Sequence, residues 1–173
     1  MIEFTPIVVT IINIFSWLVI HLGISYLCVL IPIDFFKQES WIYKEKKWEE
    51  RGRLYERLQV KKWKDKLPEG GGIYKRGFEK RTLKRYANAY LSTFLFETKR
   101  AELTHWLSIP PSLFFFLWNP PVVGIIMIVY AVTFNLPFIM VQRYNRIRLT
   151  KLIQKKGSID DTAISSTYIE LDQ

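Results

Sequence analysis

Within FETKRAELTHW (96–106), Glu97, Arg100, Glu102 and His105 place two acids, a guanidinium and an imidazole in a short run of chain. On a helix, Glu97, Ala101 and His105 step along one face at i, i+4 and i+8, with Arg100 and Thr104 beside it. Glu102 precedes His105 by three residues, within side-chain reach. A carboxylate beside an imidazole fixes its tautomer and raises its basicity. Such a pair can remove a proton from a hydroxyl held at hydrogen-bond distance. Glu97 and Arg100, also three apart, are expected to pair and stiffen that face. The bland alternative is a set of ordinary helix ion pairs. Its place beside a long uncharged stretch favours function, because charge next to a membrane span is costly.

Metal chemistry is the rival reading of the same residues. Glu-x-x-His on a helix is half of a carboxylate di-metal site, which needs a second copy of the motif. The only other histidine, His21, sits in LVIHLG without an acid nearby. No metal site is therefore expected, and His21 reads as an interhelical hydrogen-bonder. His-Glu-x-x-His, a nucleophile elbow and the His-x4-Asp of the common glycerolipid acyltransferases are all missing.

Two basic clusters are candidates for ligand contact. VQRYNRIRLTKL (141–152) carries Arg143, Tyr144, Asn145, Arg146 and Arg148, donors suited to phosphate or sugar oxygens. A plain stop-transfer flank would need only positive charge, so the mixture tilts towards binding. VKKWKDKLP (60–68) adds Lys61, Lys62 and Lys64, for which solvated charge is the default.

The elements that position these groups are helical and apolar. The chain has 173 residues, 49% of them hydrophobic, and a net charge of +9. No Asp, Glu, Lys or Arg occurs from Thr5 to Ile33 or from Trp106 to Gln142. Each stretch exceeds the ~20 residues that cross a hydrocarbon core. The first has no basic leader and no small-residue cleavage site, so it reads as a mature span and not as a signal peptide. The expected fold is all-α and membrane-integral: an N-terminal span (about 6–31), then a helical hairpin (about 91–118 and 122–141) turning at WNPP. One domain covers 1–157, and the polar 158–173 tail is expected to be disordered. Cys28, alone in an apolar helix, reads as a packing residue.

Between the spans, KEKKWEERGRLYERLQVKKWKDK (44–66) reads as an amphipathic helix at the membrane surface or on a cytoplasmic domain. Trp41, Trp48 and Tyr55 recur every seven residues along it. EGGGIYKRGF (69–78) reads as a flexible turn without the ending of a phosphate-binding loop. Lys and Arg crowd the 34–105 segment and the tail, which the positive-inside rule places in the cytoplasm with the N-terminus outside the cell membrane. Anionic lipid accounts for the basic charge, and no nucleic-acid-binding signature is present.

ETKRAELTHW and VQRYNRIRLT, with Trp17, Leu18 and Leu22 of the first span and VKKWKDKLPEGG, resemble the glycosyl-4,4'-diaponeurosporenoate acyltransferases of C30 carotenoid biosynthesis. The likeness covers roughly 15–155. It implies an enzyme that esterifies the glucose 6-hydroxyl of a glycosylated carotenoid with a fatty acyl chain, late in staphyloxanthin-type pigment synthesis. The roles then expected on chemical grounds are His105 as base oriented by Glu102, and Arg100 as oxyanion donor. Arg143, Arg146, Arg148 and the lysines 61, 62 and 64 would hold phosphates of the acyl donor, acyl-CoA or acyl carrier protein, which enters as co-substrate with no bound cofactor. Other carotenoid-pathway enzymes are possible partners. The alternatives are a non-catalytic membrane scaffold and a different membrane enzyme acting on lipid-linked sugars.

Overall fold

The computed structural model describes residues 5–68 and 88–171, with side chains for 5–68 and 91–155. The described residues are helical throughout, with no strand. Helix α1 spans Pro6–Leu30 and opens with proline, whose missing N–H costs nothing in the first turn. Its 25 residues reach roughly 38 Å, enough to cross the apolar core. Most of its large side chains stay uncovered by protein: Ile7 is 73% exposed and Ile14 67%. An uncovered apolar surface of this length suits lipid.

A five-residue 3₁₀ turn, Ile33–Lys37, follows α1. The 44–66 stretch is not one helix. It divides into a 3₁₀ turn at Lys47–Gly52, α2 at Arg53–Arg57, α3 at Val60–Trp63 and a 3₁₀ turn at Lys64–Lys66. Glu50, Arg51, Gly52 and Gln59 all have positive φ, which breaks the helix twice. The heptad of aromatics therefore does not share a face. Tyr55 is fully buried, whereas Trp41 and Trp48 are exposed. At Gly52 the left-handed backbone is joined by a close neighbour, since a Cβ there would stand 3.3 Å from Ile147. The glycine-rich 69–78 stretch lies outside the described residues.

Helix α4, Asn88–Leu107, carries the FETKRAELTHW chemistry inside a continuous helix, because its axis begins well before the apolar run. It stops at Pro110 and Pro111, which cannot donate the next helical hydrogen bonds. The Ile109 N–H takes the Trp106 carbonyl instead, at 3.3 Å. Residues Pro110–Leu117 then form a 3₁₀ helix, about 16 Å long, half the thickness of a hydrocarbon core. The expected 91–118 span is thus two elements, one ionised and one too short to cross.

Helix α5 runs from Pro121 to Leu171. Its Pro121–Lys155 portion and α1 are the two described helices long and apolar enough to cross a membrane. The backbone is helical through Leu171; extending a formed helix costs far less than starting one.

Three small cores line α5. Near the 118–120 turn, Trp17 packs on Phe115 and Ala131. Further on, Val141, Tyr144 and Ile147 pack on Tyr55 and Val60, and Leu149 meets Leu91 and Phe94 of α4. Phe116 lies flat on Gly124, where any Cβ would fall 2.5 Å from the ring. Asn13 of α1 and Asn119 exchange amide hydrogen bonds at 3.0 Å, and Trp118 Nε1 donates to Asn13 Oδ1 at 2.8 Å. This buried polar knot fixes α1 to the turn that starts α5.

Candidate active site

Two carboxylates and two guanidiniums form a buried network where α4 meets α5. Arg143 holds Glu49 through both Nε (2.8 Å) and Nη2 (2.9 Å). Its Nη1 donates to Glu102 Oε1 at 2.7 Å and to the Ile42 carbonyl at 3.1 Å. Arg146 Nη1 stands 2.5 Å from Glu102 Oε2, an ion pair outside hydrogen-bond angles. Trp106 Nε1 also donates to Glu102 Oε1, at 3.2 Å. Glu49 and Glu102 are fully buried, and charge at that depth persists only when matched. Burial alone would raise the Glu49 pKa, but hydrogen bonds from Arg143, Tyr55 and the Lys46 N–H outweigh it and hold it below its ordinary value. Burial and the Glu49 carboxylate push the Tyr55 hydroxyl up in turn.

The expected Glu97–Arg100 pair forms at 2.6 Å, and Arg100 Nη2 also donates to the Ile31 carbonyl at the end of α1. Arg100 Nε is buried without a hydrogen-bond partner. Lys99, also buried, donates to the Phe36 carbonyl at 2.8 Å and more weakly to that of Gln38. Arg100 and Lys99 together anchor the chain leaving α1 onto α4.

His105 has a partner on α5. Glu102 is committed to the arginines. The imidazole Nδ1 instead lies 2.9 Å from Asn135 Oδ1, and its ring stacks on Phe138 at 4.6 Å. Asn135 is fully buried, and its Nδ2 donates to the Ala131 carbonyl at 2.8 Å. With the amide nitrogen so used, the oxygen must face the histidine as an acceptor. Nδ1 therefore carries a proton, and in the neutral form of the ring the lone pair lies on Nε2. An imidazole in that tautomer can act as a base.

The basic clusters separate by depth. Arg143 and Arg146 are internal, and Tyr144 is buried edge-on to Tyr55 at 6.4 Å. Asn145 is half-buried; Arg148 is exposed, its guanidinium over the Tyr144 ring. Lys61 and Lys62 are exposed, and Lys64 pairs with Asp65 at 2.7 Å. The structure thus joins Glu102 to Arg143 and Arg146, and leaves the lysines on a separate surface. Sequence reasoning missed Glu49 and Asn135. Asn135 had a signal: an amide in the apolar AVTFNLPFIMV is costly unless it is used. Glu49 had none, being one of several acids in a charged run.

Comparison with known proteins gives the family. The sequence model of glycosyl-4,4'-diaponeurosporenoate acyltransferase matches residues 39–155, which contain both ends of the ionic network and the His105–Asn135 pair. The chain belongs to that family. It is an acyltransferase. A relative of that name from Staphylococcus aureus strain Newman is 38% identical over 149 residues, covering 84% of this chain and 90% of its own. Those of strains MRSA252 and bovine RF122 / ET3-1 are 39% and 38% identical over 139 residues, covering 80% of this chain and 84% of theirs. No solved structure matches. Family membership sets the scaffold alternative aside.

Proposed function

We propose that the protein transfers a fatty acyl group from an acyl thioester to the 6-hydroxyl of the glucose on a glycosylated C30 carotenoid. The observation that carries this reading is the His105–Asn135 pair, which fixes a proton on Nδ1 and so assigns proton acceptance to Nε2. His105 Nε2 accepts the hydroxyl proton as the sugar oxygen bonds to the thioester carbonyl carbon. The tetrahedral oxyanion needs a donor, a role assigned to Arg100, whose Nε has no hydrogen-bond partner among the described residues. Collapse breaks the carbon–sulfur bond, and the imidazolium returns its proton to the departing thiolate. Both substrates carry long apolar tails, which the uncovered faces of α1 and α5 leave in lipid while the sugar sits at the boundary.

In this reading Glu102 and Glu97 position their arginines and do not touch the reacting atoms. The test is mass-spectrometric detection of acylated glycosyl-carotenoid formed by membranes containing the enzyme, the glycosylated acceptor and acyl-CoA. Wild type should yield the acyl ester and His105→Gln should not. Ester formation by both would remove His105 from the reaction.

A further inference from the structure

A cavity of about 890 Å³ opens between the 39–51 segment, α4 and the post-membrane part of α5. Its wall carries Lys44, Arg51, Lys99, Arg146 and Lys151 against Glu39, Glu45 and Glu49. Two of these acids have cationic partners, and Glu39 also acts at longer range on Lys99. Glu49 is held by Arg143, and exposed Glu39 lies 3.6 Å from Lys44. Lys99 is the reverse case: only 7% exposed, it rests on two backbone carbonyls and makes no ion pair with any described residue. Its ammonium and the Arg146 guanidinium lie over one ring, each 5.6 Å from the centre of Tyr43. Two buried cations converge on the same side chain with only part of their charge answered.

The chain is also strained there. Glu50 and Arg51 have φ of 50° and 57°, a rare pairing for residues with side chains, and this turn brings the Arg51 carbonyl to Lys151 Nζ at 2.8 Å. A buried cation without a counter-ion is costly, and such excess is retained where an anion is to be received.

We propose that this cavity binds a phosphate-bearing group, with Lys99 and Arg146 at its base beside Tyr43 and Arg51 and Lys151 at its rim. The ligand is either the phosphorylated arm of a thioester donor or an anionic lipid headgroup. The first possibility rests on the acyl-transfer reading. In its favour, eleven residues of α5 separate Asn135 from Arg146, roughly 16 Å, so an extended arm would run from phosphate to thioester between them.

The experiment uses the purified full-length protein in non-ionic detergent, with inorganic pyrophosphate as probe in titration calorimetry. Wild type should bind it, more weakly as salt is added, and Lys99→Met and Lys151→Gln should each weaken binding at least tenfold. Lys99→Met also removes the hydrogen bonds to the Phe36 and Gln38 carbonyls, so it should melt below wild type and its binding is read per folded protein. Absence of binding in wild type would overturn the proposal. So would unchanged binding in folded Lys99→Met and in Lys151→Gln, which would leave Lys99 a structural staple alone. Displacement of pyrophosphate by coenzyme A identifies the donor arm. Displacement by phosphatidylglycerol bicelles alone identifies a headgroup, and displacement by neither overturns the site. His105→Gln should bind pyrophosphate like wild type. A wild type that binds it but forms no ester would defeat the acyl-transfer reading and leave the cavity's role intact.

Discussion

His105 and Glu102 stand three residues apart yet answer to different partners, and their variants should separate accordingly. His105→Gln retains a hydrogen-bonding group but cannot accept and return a proton. Turnover per folded enzyme should fall about 10²–10⁴-fold, with protein level unchanged. Asn135→Ala removes the acceptor that fixes the tautomer, so kcat should drop while KM for both substrates stays near wild type. Glu102→Gln does something else. It removes the charge between Arg143 and Arg146, so thermal stability in detergent should fall before turnover per folded enzyme does. Equal loss of turnover in Glu102→Gln and His105→Gln, at equal melting temperature, would return Glu102 to the role of histidine orienter.

At the scale of elements, the Glu49–Arg143 bond joins the segment after α1 to the end of α5. Arg143→Met strands Glu49, removes one of the two guanidiniums at Glu102, and should cost about 3–5 kcal/mol. Combined with Glu49→Gln it should cost less than the two single changes added, because each strands the other's charge. The lowered pKa of Glu49 gives the sign with pH. Its contribution is complete above the ordinary carboxylate value of about 4.3 and is lost as pH falls through the lower folded value. The gap in melting temperature between wild type and Glu49→Gln should therefore narrow on acidification below about pH 4; a gap that widens would contradict the network. At the other end of α5, Gly124→Leu must displace Phe116 and should cost about 1–3 kcal/mol by the same thermal measurement.

For the whole molecule, the charge distribution implies one orientation in the membrane. Lys and Arg sit only in the 34–105 segment and beyond Gln142, both of which should face the cytoplasm. In a Cys28→Ser background, cysteines at Ser40 and Gly157 should react with an impermeant maleimide only after cells are permeabilised. Reaction at Ser40 in intact cells would invert the topology. The same arrangement would put the cationic cavity on the side where acyl thioesters are made, with the imidazole about three helical turns of α5 closer to the lipid.

The sequence by itself determined the helical, apolar character of the chain, the two long uncharged stretches and the residues of the ETKRAELTHW and VQRYNRIRLT motifs. Those properties live in composition and local spacing, where periodicity and proline chemistry act directly. The Glu97–Arg100 pair was legible for the same reason, being three residues apart on one helix. Which carboxylate meets which base was decided only by tertiary structure. Glu102 had two suitors at helical distance or beyond, and two guanidiniums brought in from α5 outcompete an imidazole on its own helix, because a buried carboxylate gains more from full cations. His105 then finds Asn135 thirty residues away, a pairing that no local spacing encodes. The amphipathic reading of 44–66 failed on similar ground: burying Glu49 against Arg143 and seating Gly52 against Ile147 go with a backbone that a continuous helix cannot adopt.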